Sequence, residues 1–226
     1  MDVTPFVLTL KIALLATACS VVLGIAAAWL VLRIHRAQAL LDGILTLPMV
    51  LPPTVVGFAL LLLLGKRGPV GALLQALDIS IIFTPTAGVI AATVVSFPLM
   101  YRTVRGAMEQ LDPDLAAAGR TLGMSEWNIF RQVTLPGCAP GIAAGTVLTF
   151  ARALGEFGAT IMIAGNIPGK TQTMSVAIYS AVQAGQSHYS EALFWAVIIC
   201  LMSFAGMLVV NIWNSIYVRR KGGRGR

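Results

Sequence analysis

Arg152 and Glu156 lie four residues apart inside an otherwise apolar stretch, and their charges are the first feature of this sequence that suggests chemistry. On a helix this spacing places both side chains on one face, about 6 Å apart along the axis. Charged groups inside an apolar bundle are costly and usually face its interior or a cavity. Two interpretations stay open. The two charges neutralise each other and fix helix packing, or Arg152 presents a positive field to an anion while Glu156 holds the arginine in place.

A second segment, AGNIPGKT at residues 164–171, fits a relaxed nucleotide-binding pattern of Ala or Gly, four residues and Gly-Lys-Thr. The chemistry of such a loop requires a strand before it, a helix after it and access to Mg-nucleotide. An apolar stretch of helical length precedes this segment instead. We therefore predict that it does not bind nucleotide.

Other groupings that could support catalysis or metal binding are missing from the sequence. Cys19, Cys138 and Cys200 lack the paired spacing of a zinc site or a disulfide framework. His188 has no second ligand at a suitable spacing, and no apolar stretch carries a His or paired carboxylates for acid–base work. We predict no catalytic residue, no metal site and no cofactor bound by this chain.

The elements that position these residues are predicted to be membrane helices. Of the 226 residues, 57% are hydrophobic and only 11% are charged, whereas an average soluble domain carries roughly a quarter charged residues. This composition excludes a soluble enzyme, a disordered tail and a disulfide-rich secreted domain. We predict an all-α integral membrane protein in which residues 1–226 form a single transmembrane domain.

Five uncharged windows each reach the roughly 20 residues that a helix needs to cross the hydrocarbon core. We expect the fourth to continue to about Ile163, and a sixth crossing only if residues 171–183 insert. The first is too long for the apolar region of a signal peptide, so we predict a transmembrane helix there. The windows are 12–32, 43–65, 79–101, 132–151 and 192–218.

Prolines interrupt several of these windows. In lipid, the carbonyl groups that they free are tolerated only where protein or a water-filled cavity meets them. The pattern favours a bundle that lines a pathway, although prolines that only kink packed helices would look the same. The residues are Pro48, Pro52, Pro53, Pro98, Pro136 and Pro140.

The distribution of Lys and Arg around the windows predicts that the N-terminus lies outside and the C-terminus inside. Lys66 and Arg67 run against the rule, and we expect the loop from there to about Phe83 to lie in the membrane interface. The basic tail, residues 219–226, is predicted to anchor the inner side, not to bind nucleic acid. The eleven inner cations are Arg33, Arg36, Arg102, Arg105, Arg120, Arg131, Arg219, Arg220, Lys221, Arg224 and Arg226, against Lys11, Lys66, Arg67 and Lys170 outside.

Residues 106–135 form the one long inner loop, and their caps predict two short helices. Asp112, Pro113 and Asp114 provide an N-cap carboxylate, a first-turn proline and a second anion at the positive helix end. Gly123 ends this helix, and Ser125 can cap the next. Two helices joined in this way form a knob that another protein could grip, and an interfacial helix lying on lipid headgroups is the alternative.

The string AAGRTLGMSEWNIFRQVTLP, residues 117–136, resembles the loop that marks permease subunits of bacterial ABC importers. The family pattern is Glu-Ala-Ala, three residues, Gly, nine residues, Ile, any residue and Leu-Pro. Gly123 takes the glycine place, Ala118 takes the first alanine, and Val133, Leu135 and Pro136 close the pattern.

Three positions depart from that pattern. Ala117 stands where the family has Glu, Gly119 replaces the second Ala, and Val133 replaces Ile. The loss of the Glu removes a charged contact and keeps the docking shape. Asp114, three residues earlier, is a candidate to supply the missing anion.

The resemblance extends to TLPMVLPPTVVGFALLLLLGKRGPVG (46–71), SFPLMYRTVRGAMEQLD (96–112) and FARALGEFGATIMIAGNIPGKTQTMSVAIYS (150–180). These segments are similar to molybdate permeases and, as close relatives, to the usually longer sulfate permeases. The resemblance implies a homodimer in the bacterial cytoplasmic (inner) membrane, importing molybdate. It also implies two cytoplasmic ATPase subunits, which use ATP and Mg, and an external substrate-binding protein.

Other substrates and another transport class remain open. Sulfate, thiosulfate or tungstate permeases are the alternatives within the family. An ion-driven secondary carrier or channel would use Arg152 and Glu156 as its ion or proton site. Such a carrier is expected to show an internal repeat of its spans, which this sequence lacks.

Residues 164–192 form a polar outer loop with an apolar stretch that is too short to span the membrane. We expect a partial helix that dips into the outer mouth as a gate, or a surface that receives the binding protein. Asn166, Pro168 and Tyr179 are the candidate residues. A long interfacial connection is the alternative.

Overall fold

A computed structural model describes residues 2–34 and 36–222, and all regular elements within them are helical, as predicted. A π-helical turn (Phe130–Thr134) joins α7 to α8, and a 3-10 turn (Gln186–His188) precedes α12. The helices are α1 (Thr4–Val31), α2 (Gln38–Val50), α3 (Pro53–Leu64), α4 (Pro69–Gln75), α5 (Pro85–Glu109), α6 (Pro113–Thr121), α7 (Glu126–Ile129), α8 (Leu135–Gly137), α9 (Ala139–Leu154), α10 (Gly158–Ile163), α11 (Met174–Gln183) and α12 (Tyr189–Gly222).

Three segments are long and apolar enough to cross a membrane as single helices: α1, α5 and Gln186–Val209. Two bent pairs, α2 with α3 and Glu126–Gly137 with α9, raise the number of candidate spans to as many as five. This number agrees with the five predicted windows. The short helix α11 has ten residues, about half of what a sixth crossing would need.

The second predicted span is a pair of helices at 111° to each other. Pro52 and Pro53 lie at the break and have no amide hydrogen to continue the first helix. The amides of Val55 and Val56 donate to the Pro52 carbonyl at 2.9 and 3.2 Å, which starts α3 in its new direction.

The third window was placed too early. Asp78 and Phe83 have positive φ angles of 57° and 60°, so the segment before Pro85 is not helical. Instead α5 continues to Glu109. The inner loop therefore leaves the helix later than its predicted start at residue 106.

The fourth window differs from the expectation at both ends. Pro136 predicts an end to the second inner helix, since proline has no amide hydrogen, but the helical segment does not stop there. The Leu135 amide donates to the Phe130 carbonyl in a widened π turn just before the proline. At its far end the fourth span continues to Ile163, as expected, but as two helices. The first ends at Leu154 and the second is Gly158–Ile163.

The core is a bundle of α1, α5 and α9, with α12 packed on α9 and α11. Small side chains line it, so the helices approach closely. One buried cluster joins Ala13 and Ala16 of α1 with Ala92 of α5 and Ala153 of α9. A second cluster packs the half-helices α3 and α10 against α5, with Val56, Ala91 and Ile163 at its centre.

The first helix fixes which loops share an end of the bundle. Near its start, the Thr9 hydroxyl accepts a hydrogen bond from the Met174 amide at 2.8 Å. Just past its end, Arg33 pairs with Glu126 at 3.1 Å. The loop before α11 and the segment from α6 to α8 therefore lie at opposite ends.

Two surface predictions concern segments outside the core. In the loop that begins with Lys66 and Arg67, Leu73 and Leu77 are exposed, and the place of this loop in the interface remains a prediction. Helix α12 continues to Gly222. The last four residues of the predicted basic tail, 223–226, lie outside the described residues.

Candidate functional site

The segment from Asp112 to Gly137 forms a helical knob at one end of the bundle. Asp112 caps its first helix by accepting a hydrogen bond from the Asp114 amide at 2.9 Å. Gly123 ends that helix at φ +74°. The amides of Gly123 and Met124 return to the carbonyls of Arg120 and Gly119 at 3.0 and 3.1 Å, which is the Schellman pattern of a glycine stop. The predicted caps are therefore present.

The second arm of the knob folds back on the first. The Ser125 hydroxyl accepts a hydrogen bond from the Asn128 amide at 3.3 Å and starts α7. Ile129 is buried and lies over Gly119, where an added Cβ would come within 3.0 Å of its Cγ1. The glycine that replaces the family alanine thus makes room for Ile129 between the two arms.

The first helix of the knob exposes both large and small apolar side chains. Leu115 is 51% exposed and Leu122 is 80% exposed, and Ala117 and Ala118, between them in the sequence, are exposed as well. The loop residues singled out from the sequence divide into an exposed and a packed group. Asp114, Ala117, Ala118, Gly123 and Pro136 are exposed, whereas Gly119 is buried and Val133 and Leu135 are half-buried.

A carboxylate that the sequence reasoning missed ties the knob to the first helix. Glu126 Oε2 lies 3.1 Å from Arg33 Nη2, and Glu126 Oε1 lies 2.7 Å from Arg120 Nε. The hydrogen bond from Arg120 lowers the pKa of Glu126 below its ordinary value, and the charge of Arg33 adds to this effect. One carboxylate therefore joins two segments that are far apart in the sequence.

Aromatic rings surround this contact. The Trp29 ring lies 5.0 Å from Phe130 and 6.1 Å from Trp127, centroid to centroid. The Arg33 guanidinium stacks 3.9 Å from the Trp29 ring centre, a cation–π geometry. In the sequence, only two helical spacings indicate this cluster: four residues from Trp29 to Arg33, and three residues from Trp127 to Phe130.

A second missed cluster joins α2 to α5 near the same end of the bundle. Arg105 forms an ion pair with Asp42, and the Tyr101 hydroxyl donates to the same carboxylate. Arg105 also binds Glu109 through Nε at 2.8 Å. A cavity of about 530 Å³ opens beside these groups and is bordered by Arg102. This cluster fixes the first half of the broken second span to α5.

The Arg152–Glu156 pair forms as the spacing predicts, with Arg152 Nη1 2.7 Å from Glu156 Oε2. The other carboxylate oxygen accepts the Ala159 amide at 2.8 Å and so caps α10. The pair spans the break after α9. An added Cβ on Gly158 would lie 3.0 Å from Pro53 Cβ and 3.2 Å from the Thr54 nitrogen. The breaks of the second and fourth spans therefore meet beside this pair.

The outer loop carries the three residues predicted for a gate or a docking surface. Asn166 donates to Ser180 at 2.7 Å and accepts from Gln172 at 3.0 Å. The Tyr179 ring lies 5.1 Å from Phe157, next to the break in the fourth span. Asn166, Pro168 and Tyr179 are all exposed, at the end of the bundle opposite the knob.

The nucleotide-like segment within this loop is a tight turn that follows helix α10. The Ile167 carbonyl accepts hydrogen bonds from the amides of Lys170, Thr171 and Gln172 at 3.0, 2.9 and 3.2 Å. Amides engaged in this way are not free to cradle a phosphate. Among residues 2–34 and 36–222, no group of three or more His, Cys, Asp or Glu side chains could hold a metal ion.

In comparisons with known proteins, the chain is similar to membrane components of transport systems. Residues 20–223 match the family described as "Binding-protein-dependent transport system inner membrane component". The chain is 43% identical to the molybdenum transport system permease protein ModB of Escherichia coli (strain K12), over 96% of this chain and 95% of that protein. It is 38% identical to ModB of Haemophilus influenzae, over 100% and 98%. With the sulfate transport system permease protein CysW of Synechocystis it shares 37% identity, over 90% and 73%.

Solved structures share the fold at low sequence identity. The MetNI methionine ABC transporter in inward-facing conformations matches with a TM-score of 0.70 at 18% identity, over 93% of this chain and 94% of that one. A bacterial ABC transporter involved in the import of the acidic polysaccharide alginate matches with a TM-score of 0.67 at 17% identity, over 97% and 80%.

Proposed function

The chain belongs to the family of binding-protein-dependent transport system inner membrane components, and from this premise we propose that it carries molybdate inward as the permease subunit of an ATP-driven importer. The observation that carries the proposal is the 43% identity to a molybdenum permease over nearly the whole length of both chains. The all-helical fold, similar to that of ABC transporter permeases, supports the general class.

The knob is the contact with a cytoplasmic ATPase subunit. Its face of small side chains at Ala117 and Ala118, between exposed Leu115 and Leu122, offers apolar surface without bulk that would block a cleft. The Schellman stop at Gly123 fixes the angle between its arms. ATP and Mg are bound by that partner, and this chain does no covalent chemistry.

The pathway forms between two copies of the chain, and a binding protein delivers the anion at the opposite end. Asn166, Pro168 and Tyr179 lie at that end and are exposed for such a contact. The N-terminus lies outside and the C-terminus inside, since the knob shares its end of the bundle with Arg33 and Arg105. Closure of the ATPase pair moves the knobs and switches the pathway from inward-facing to outward-facing.

Molybdate is favoured over sulfate by sequence identity, which is 43% to the molybdenum permease from Escherichia coli and 37% to the sulfate permease from Synechocystis. Thiosulfate and tungstate are the other oxyanions of the same chemical class. The lack of an internal repeat in the sequence argues against an ion-driven secondary carrier.

A complementation experiment tests the proposal. The chain is expressed with its own ATPase and binding protein in a bacterium that lacks a molybdate permease, and a molybdenum-dependent nitrate reductase is assayed at nanomolar external molybdate. We expect reductase activity to recover, and to be lost when the chain alone is omitted. Recovery of sulfate-dependent growth without recovery of the reductase would assign the chain to sulfate.

A further inference from the structure

The charged pair in the fourth span is asymmetric in its exposure. The Glu156 side chain is 2% exposed, whereas the Arg152 side chain is 33% exposed. Both carboxylate oxygens are engaged, one by Arg152 and one by the Ala159 amide. The carboxylate of Glu156 is therefore enclosed in the protein, whereas the guanidinium of Arg152 is partly exposed.

The guanidinium has hydrogen-bonding capacity to spare. Arg carries five N–H donors in a planar fork, and within the described residues only Nη1 of Arg152 is bonded, to Glu156. Leu148 lies one turn before Arg152 on the same face of α9, Gly155 directly follows the end of that helix, and both are exposed. The remaining donors thus lie on an open face.

The depth of Arg152 distinguishes it from the other cations of the described spans. It lies 13 residues after the first residue of α9 and 11 residues before the last residue of α10. This is near the midpoint of the fourth span, whose two helices together have about the length needed to cross a hydrocarbon core about 30 Å thick. Lys11 lies near the outer end of α1, and Arg102 and Arg105 lie in the last turns of α5. Arg152 is therefore the midplane cation of the part of the bundle that the structure describes.

The surroundings of Arg152 match a point of passage better than a purely structural ion pair. The breaks of two spans meet at Gly158, Pro53 and Thr54, and irregular backbone at membrane depth is tolerated where it is buried in protein or lines a water-filled cavity. Thr54 is exposed there, and its hydroxyl has no partner among the described residues.

We propose that Arg152 is a specificity-determining residue of the pathway, which hydrogen-bonds a tetrahedral oxyanion as it passes the junction of the two broken spans. The planar fork suits an oxyanion better than the point charge of a lysine does. Glu156 positions the fork and offsets its charge, so the anion is held weakly enough to leave. The inference rests on the proposed function, because it needs an oxyanion as the transported species.

The test compares variants of the complete transporter in proteoliposomes, with molybdate as the first probe and sulfate as the second. Arg152→Lys keeps a charge that can neutralise Glu156 but removes the fork. The double variant Arg152→Gln/Glu156→Gln removes both charges and leaves no buried unpaired carboxylate. Arg102→Gln is the matched control, because this exposed arginine has no ion pair within the described residues. Thermal stability, binding-protein-stimulated ATPase activity and uptake are measured for each.

We expect Arg152→Lys and the double variant to lower oxyanion uptake at least about tenfold. The thermal stability should stay close to that of wild type and the ATPase activity within about twofold of it. Arg102→Gln should transport normally. If Arg152→Lys takes up the oxyanion at the wild-type rate, the proposal is wrong and the pair is a structural one. This holds whether or not the double variant folds. If the wild-type transporter carries sulfate and not molybdate, the proposed substrate fails, while the effect of Arg152 is still read from sulfate uptake.

Discussion

Arg33 donates a hydrogen bond to Glu126 at 3.1 Å, although the two residues lie 93 positions apart in the sequence. The contact joins the end of the first membrane helix to the knob, and Arg120 binds the same carboxylate from within the knob. The Trp29, Trp127 and Phe130 rings pack beside it. The knob and the first helix are therefore expected to move as one unit when a partner displaces the knob.

Replacing Glu126 with Gln tests this linkage. The change removes the charge that both arginines bind, so we expect less substrate to be transported per ATP hydrolysed, with the fold intact. Glu109→Gln is the matched control, because Glu109 pairs with Arg105 on its own helix. The ratio of uptake to ATP hydrolysis in proteoliposomes measures the effect. An unchanged ratio in Glu126→Gln would show that this carboxylate does not transmit the motion.

The same contact is expected to weaken in acid. The pKa of Glu126 is lowered in the folded chain, so its contribution is complete above the ordinary Glu value of about 4.3. That contribution is lost as the pH falls through the lower folded value. Because Trp29 and Trp127 lie beside the contact, tryptophan emission should change below about pH 4.3 in the wild type. The same titration of Glu126→Gln serves as the control, and identical curves would refute the prediction.

Gly123 is the joint between the two arms of the knob. Its φ of +74° is unfavourable for residues with a side chain, at a cost of about 1–2 kcal/mol. No atom lies within 4 Å of an added Cβ, so substitution acts through the backbone alone. Gly123→Val should reduce transport and disturb its coupling to ATP hydrolysis, while the protein still inserts into the membrane. Gly123→Asn should be milder, since Asn tolerates this conformation, and equal, normally coupled uptake in both variants would contradict the role of the joint.

The contact between α3 and α10 depends on Gly57. A Cβ at this position would lie 2.7 Å from the Cα of Ala159, and overpacking of this kind costs about 1–3 kcal/mol. Gly57→Ala should therefore lower the Tm of the detergent-solubilised protein. Gly106→Ala, at a helical position with nothing within 4 Å of the added Cβ, should hold or raise the Tm. An equal Tm for the two variants would contradict this prediction, because it would mean that α3 and α10 can move apart at little cost in free energy.

The features that could be predicted are those with local signals. Asp112 and Gly123 predict the first helix of the knob because capping depends on neighbouring residues. The spacing of Arg152 and Glu156 likewise predicts their contact. Neither feature needs knowledge of a distant segment.

The features that sequence reasoning missed depend on segments that meet only in the folded chain. The break after Leu154 lies where Gly158 packs closely against Pro53. The pairing of Asp42 with Arg105, and the unequal exposure of Arg152 and Glu156, also arise from tertiary structure. The hydropathy of a segment shows that it is apolar. It does not show whether the two halves of the segment run in the same direction.

Uptake of radiolabelled molybdate into proteoliposomes that contain this chain with its ATPase tests the proposed transport function. ATP is supplied on the side of the knob, and the loaded binding protein on the opposite side. We expect molybdate to accumulate only when ATP is hydrolysed and the binding protein is present, and excess sulfate to compete poorly. Uptake driven by an ion gradient without ATP, or no molybdate uptake by the complete transporter, would contradict it.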